Sequence, residues 1–291
     1  MKRKILTVLA ILLGLAGLGV LLYPSVSNWM EQAKQRRQIA AYQEAQAQME
    51  QKRRAALLEE ADRYNQKLAE LGISFDMLGE AEKEALLIDG KSYEELLLAE
   101  DSGVMGYLEI EKIKLKLPIY HGVSEEALED GVGHLEGTSL PVGGETTHAI
   151  LFGHRGLPSA KLFTDLDQLE EGDHFLIHVL NETLCYEVDK ISVVKPEETS
   201  SLAVEEGKDL VTLLTCTPYG VNTERLLVRG HRVPYVEEEV KEEKTVLSGS
   251  SLHTNYLLWV FVGLSVTALF IFVLYLKETK LKRRANKGGK K

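Results

Sequence analysis

Cysteine is scarce in this chain, which holds only Cys185 and Cys216 in 291 residues. Two thiols cannot staple a small disulfide scaffold or build a multi-cysteine zinc module. Basic residues are also in short supply, with Lys+Arg at 34 against Asp+Glu at 44. The formal net charge of −10 argues against a general nucleic-acid binder. The 7 prolines and 24 glycines follow no period, which excludes a collagen-like or low-complexity chain. What is present is 44% apolar and 27% charged, too apolar for a disordered chain and enough for one sizeable domain with accessories.

Two uncharged runs divide the sequence. Ile5 to Leu22 follows Lys2, Arg3 and Lys4, and Leu257 to Leu276 is 20 residues long, enough to cross a bilayer. Eight Lys and Arg residues lie beyond the second run. Positive residues stay on the cytoplasmic side, so both termini are expected inside and the part from Tyr23 to Tyr256 outside, at the cell membrane. The alternative for the first run is a cleaved signal peptide. The external part carries 23 basic and 43 acidic residues, a balance that serves solubility or a cationic partner.

Between the runs, Asn28 to Leu71 contains no Pro or Gly and is rich in Ala, Gln, Glu, Lys and Arg. It reads as a long helical stalk of about 65 Å at 1.5 Å per residue, stopped by Gly72. Residues 110–117 alternate charged and apolar, as a strand with one wet face, closed by Pro118. Further strand-like runs cover 148–152, 174–179, 183–194, 210–215 and 225–229. Short strands at this spacing predict an all-β barrel or sandwich. The resulting division is 1–27 for the N-terminus and first span, 28–103 for the stalk, and 104–235 for the β-domain. An acidic tether follows over 236–256, then the second span over 257–276 and a basic tail over 277–291.

The chemistry gathers in two places. Cys216 ends an apolar strand, the turn residues Thr217-Pro218-Tyr219-Gly220 follow, and the returning chain brings Arg225 beside it in a hairpin. Thiolates rather than thiols are nucleophilic, and a guanidinium favours the anion and can donate to an oxyanion. His154 stands between Gly153 and Arg155-Gly156 after another strand, and histidine titrates in the range needed for general acid and base work. Arg229 shares a strand face with Arg225 and, like Arg232, rivals it, but Arg225 is nearer the turn. Cys185 and the other histidines read as packing or surface residues, and a metal at His134 with Glu136 lacks a third ligand.

Thr212-Leu213-Leu214-Thr215-Cys216 matches the TLxTC signature of sortases, the cysteine transpeptidases of Gram-positive cell surfaces. Residues 131–141, 153–166 and 225–232 resemble the class C, pilin-polymerising subgroup, and the likeness runs from about Met105 to Tyr235. The resemblance implies a closed β-barrel of about eight strands, flanked here by a helical stalk and two transmembrane helices. It implies that Cys216 attacks an LPxTG-like sorting signal, with His154 as proton donor and Arg225 as oxyanion partner, and that a pilin lysine resolves the thioester. It implies no metal and no organic cofactor. Partners would be pilin subunits and the membrane, with no nucleic acid. Attachment of surface proteins to peptidoglycan and non-catalytic peptide binding are the alternatives. The subgroup commonly carries an Asp-Pro-aromatic lid; this chain has no Asp-Pro pair. Phe75-Asp76-Met77-Leu78 stands in that region, with Asp76 and Met77 as candidate lid acid and plug. Glu224, where relatives often have histidine, should face away from Arg225.

Overall fold

The structure, a computed structural model, describes residues 2–99 and 103–235. The second apolar run, the tether and the basic tail lie outside the described residues. The chain divides into two compact units at Pro24, and everything described below, the first half of helix α1 apart, belongs to the unit that starts at Ser25. Among the described residues one helix, Ile11–Gln48, is long and apolar enough to cross a membrane.

Helix α1 (Lys2–Gln48) and helix α2 (Gln51–Leu71) replace the single stalk expected over 28–71. The chain breaks at Met49-Glu50, and α2 ends at Gly72, whose φ of 61° is the left-handed conformation glycine adopts without strain. The helices also do not stand away from the β-domain. Tyr42 is fully buried, donates to the Met105 carbonyl at 2.8 Å and accepts from the Leu180 N–H at 3.1 Å. Asn65 of α2 accepts from the Leu140 N–H at 2.7 Å and donates to the Leu140 carbonyl at 3.1 Å, so a side-chain amide pairs a loop backbone. Tyr64 and Leu68 are buried in the shared core. Burying each such side chain contributes about 2 kcal/mol, which outweighs the solvation of a free-standing helix. Composition alone could not reveal this, because the docking face alternates with a strongly charged one.

Eight strands form the barrel: β1 (Val104–Ile110), β2 (Leu115–His121), β3 (Val132–His134), β4 (Thr147–Phe152), β5 (His174–Val179), β6 (Glu182–Val194), β7 (Asp209–Thr217) and β8 (Glu224–Val233). They close in the order β1-β2-β3-β4-β7-β8-β6-β5, with β5 pairing back to β1. Helix α3 (Glu80–Ala85) precedes the barrel and helix α4 (Glu125–Asp130) connects β2 to β3. The alternating stretch 110–117 is not one strand: it runs from the end of β1 through a tight turn over 111–114 into the start of β2. Ile110 pairs Leu115 across it, Lys114 takes a positive φ of 51°, and Ile113 is buried inside it, so the period of two runs on through the corner. Pro118 lies within β2, opposite Tyr107, instead of ending it.

Candidate active site

The hairpin of β7 and β8 sets the first two groups. Its register runs from Leu210 opposite His231 to Thr217 opposite Glu224, and it pairs Cys216 directly with Arg225. Directly opposed residues project from the same face with Cβ atoms about 5 Å apart, so thiol and guanidinium share one surface. Cys216 is half-buried, whereas Cys185 is buried between Leu176 and Val233.

The third group arrives from β4, which runs parallel to β7 with Phe152 level with Leu214. Two residues further along each chain stand His154 and Cys216. The backbone follows that register past the strand end. Gly153 N–H donates to the Leu214 carbonyl at 3.0 Å, and the Thr215 hydroxyl donates to the Gly153 carbonyl at 2.7 Å. A side chain at Gly153 would meet the Phe163 ring at 2.6 Å, so the glycine is a steric requirement. The His154 carbonyl accepts from the Phe163 N–H at 3.0 Å, and its ring meets Phe152 edge-on with centroids 6.2 Å apart.

The rival arginines are otherwise engaged. Arg229 grips Asp189 with two bonds of 2.9 and 2.8 Å and Glu205 with one of 2.7 Å. Arg232 lies 3.9 Å from Asp209 and over the Tyr186 ring. Arg225 is held only by the carbonyls of Asn222 and Glu224, at 3.3 and 3.1 Å, and meets no carboxylate among the described residues. A guanidinium held this way keeps donors for an incoming oxyanion. His134 is fully buried, with Nδ1 accepting from the Tyr93 hydroxyl at 2.8 Å and Nε2 donating to the Ser139 carbonyl at 2.8 Å. Glu136 pairs with Lys83 at 3.0 Å, so neither residue of the weighed metal pair points at a shared ion.

On the outer barrel face an apolar floor leads to Cys216. Ile150, Leu214 and Leu227 lie beside one another on β4, β7 and β8, Leu202 covers them from the connection between β6 and β7, and Phe75 packs on the same cluster. Every residue of β7 from Leu210 to Thr215 is buried, and at its far end the strand opens at Cys216.

The family profile described as "Sortase domain" matches residues 108–233. The crystal structure of sortase C1 from Streptococcus agalactiae is 46% identical, covering 69% of this chain and all of that one, with a TM-score of 0.64. The chain belongs to the sortase family. A lid mutant of the Streptococcus agalactiae sortase C1 aligns at 43% identity over 69% of this chain and 99% of that one, with a TM-score of 0.58. Sortase D of Bacillus subtilis is 33% identical over 131 residues, which are 44% of this chain and 63% of that protein, so the match spans less than two thirds of that relative.

In this sortase both threonines of the Thr212–Cys216 signature tie β7 to β4. Thr212 Oγ1 lies 2.8 Å from His148 Nε2, and Thr215 reaches Gly153. Asp76 and Met77 are exposed, Met77 at 61%, and the Asp76 carboxylate takes the Ser74 hydroxyl. Phe75, which the sequence reading passed over as a site residue, is the member of that segment on the apolar floor. Its backbone also lies against Gly137, where a Cβ would sit 2.7 Å from the Phe75 Cα.

Proposed function

We propose that this sortase is a membrane-anchored cysteine transpeptidase that cuts an LPxTG-like sorting signal and joins its acyl part to a lysine of a pilin subunit. The observation that carries the reading is the register that pairs Cys216 with Arg225 across β7 and β8, with the parallel β4 ending at Phe152 beside Leu214, two residues short of His154 and Cys216.

In the first half-reaction the Cys216 thiolate attacks the Thr–Gly carbonyl. A carbon–sulfur bond forms, and the oxyanion of the tetrahedral intermediate takes hydrogen bonds from Arg225. His154 gives its proton to the leaving amine as the carbon–nitrogen bond breaks. A threonyl thioester on Cys216 remains. In the second half a lysine ε-amine attacks the thioester, His154 takes the proton, and the sulfur leaves as thiolate. The product is an isopeptide bond.

The apolar floor from Ile150 to Leu227 suits the leucine and proline of such a signal, with the threonine end at the opening beside Cys216. Phe75 on that floor supports a covering role for Ser74 to Leu78, with Phe75 rather than Met77 as the inserted side chain. The apolar N-terminal helix supports membrane anchoring, and the second apolar run over 257–276 with the basic residues after it in the sequence is the ground for a catalytic domain outside and both termini inside. The class C relatives support pilin subunits, over a peptidoglycan amine, as acceptors.

Intact mass spectrometry of the detergent-solubilised chain with an LPxTG peptide tests the reading. The expected result is a mass gain equal to the peptide's acyl part, removed by hydroxylamine and absent from Cys216→Ala. No adduct across several sorting peptides, with Phe75→Ala included, would overturn it.

A further inference from the structure

The β4 and β7 strands cease to hold one another just where the chemistry begins. Their last shared main-chain bond among the described residues is that from Gly153 N–H to the Leu214 carbonyl. His154 and Cys216 both lie beyond it, one entering the loop to Phe163 and the other turning toward Pro218. A displacement of about 1 Å between general acid and nucleophile can cost on the order of a hundredfold in rate. Something other than the ladder has to hold the two ends in register.

Arg155 is placed for that task. It directly follows His154, and its Nη1 donates at 2.9 Å to the hydroxyl of Thr217, which directly follows Cys216. The second arm of the fork, Nη2, reaches the Asp167 carboxylate at 2.5 Å. Only 9% of the Arg155 side chain is exposed, so its geometry is set by packing rather than by solvent. Asp167 belongs to the 3₁₀ turn Leu162–Gln168, the same segment whose Phe163 N–H holds the His154 carbonyl. The guanidinium therefore links three pieces of chain around the reacting groups. A lysine could reach one acceptor but not span both in a fixed plane.

We propose that Arg155 is a positioning residue that clamps His154 to Cys216 through the Thr217 hydroxyl. The inference rests on the transpeptidase reading for its role, although the clamp itself can be tested without a peptide. Arg155 touches neither thiol nor substrate in this account. It acts by keeping the residue after the acid fixed to the residue after the nucleophile.

The test compares Thr217→Val, Arg155→Lys, Asp167→Asn and the double variant Thr217→Val/Arg155→Lys in the full chain. Thr217→Val removes only the acceptor and keeps the shape. Its kcat for acyl transfer should fall about tenfold with KM within about twofold of the parent. The double variant should be no worse than Arg155→Lys alone, because both break one link. A loop-stabilising role through Asp167 predicts the reverse, with Thr217→Val silent and Asp167→Asn defective. Additive losses, or a change in KM alone, would likewise overturn the clamp.

A second readout needs no substrate. The pH profile of Cys216 alkylation by iodoacetamide, read by peptide mass, should differ between parent and His154→Ala. Thr217→Val should move toward the His154→Ala profile, and a parental profile in Thr217→Val would refute the clamp. If no sorting peptide acylates the parent, the transpeptidase reading fails, and the alkylation profile still decides the clamp.

Discussion

Two histidines at neighbouring strand ends, both set among glycines, have opposite surroundings. His134 ends β3 and His154 lies just past β4, and β3 pairs β4 with His134 opposite Leu151. His134 has spent both ring nitrogens, on the Tyr93 hydroxyl and the Ser139 carbonyl, and stacks on the Tyr93 ring at 5.6 Å. Burial pushes its pKa down to about 4, so it stays neutral in the fold. The His154 ring is half-buried and takes no hydrogen bond among the described residues. A ring that must give and take a proton needs an unspent nitrogen and a path to solvent; a ring that ties Tyr93 to the barrel needs neither. The contrast separates chemistry from architecture where the local sequence looks alike.

The sharpest way to break that contrast is to remove each ring in turn. Cys216→Ala should abolish the acyl adduct, and His154→Ala should slow it by about 10²- to 10⁴-fold, both with thermal midpoints close to the parent. Arg225→Ala should cost about 10²- to 10³-fold in kcat, the usual loss for one oxyanion donor. His134→Ala should do the opposite. It leaves a cavity and takes the ring's hydrogen bonds from the Tyr93 hydroxyl and the Ser139 carbonyl, for a loss of about 3 kcal/mol in urea unfolding, with kcat per folded molecule near the parent. An inactive but stable His134→Ala would show that the two rings had been assigned the wrong way round.

Acid should expose the same difference without mutation. An unfolded histidine titrates near 6.5, so as pH falls the unfolded state binds a proton on His134 before the folded state does. Stability from this group is whole above about 6.5, is lost down to about 4, and levels off below. The total is about 3 kcal/mol at 1.36 kcal/mol per unit. Burial also lowers the pKa of His121 and His148, and both add loss in the same direction. Urea midpoints from pH 7.5 to 4 should therefore fall, and more shallowly in His134→Gln. Equal slopes would mean that His134 is not the group being charged.

How much of this could be read from the sequence varies with the range of the interaction. The hairpin that pairs Cys216 with Arg225 is local, so the length of the turn was enough to bring the two together, although strand parity left Arg229 on the same face as a rival. Five strand runs were legible for the same reason, from His174 to Val179 to the residue. His154 stood out as a histidine at a strand end among glycines, but its approach to Cys216 needed the parallel pairing of β4 with β7, which no local pattern encodes. The docking of α1 and α2 was lost because Tyr42, Tyr64 and Asn65 bond to Met105, Leu180 and Leu140, far along the chain. The short β3 went unseen because Val132-Gly133-His134 is too brief for a period and is held by its neighbours alone.

The smallest expected effect concerns the segment over the groove. The sequence puts Met77 forward as the apolar plug, whereas Phe75 is the side chain packed on the cluster of Ile150, Leu202, Leu214 and Leu227 and Met77 faces solvent. A half-buried phenyl contributes about 1 kcal/mol of contact, which is roughly fivefold in the balance between covered and open groove. Phe75→Ala should therefore raise the rate of peptide acylation severalfold and leave the rate with a small thiol reagent less changed, since Cys216 already stands at the opening. Met77→Ala should match the parent in both. If Met77→Ala speeds acylation and Phe75→Ala does not, the segment covers the groove by a different face. If neither does, the contact of Phe75 with the apolar floor is packing, and the groove is open to its signal as it stands.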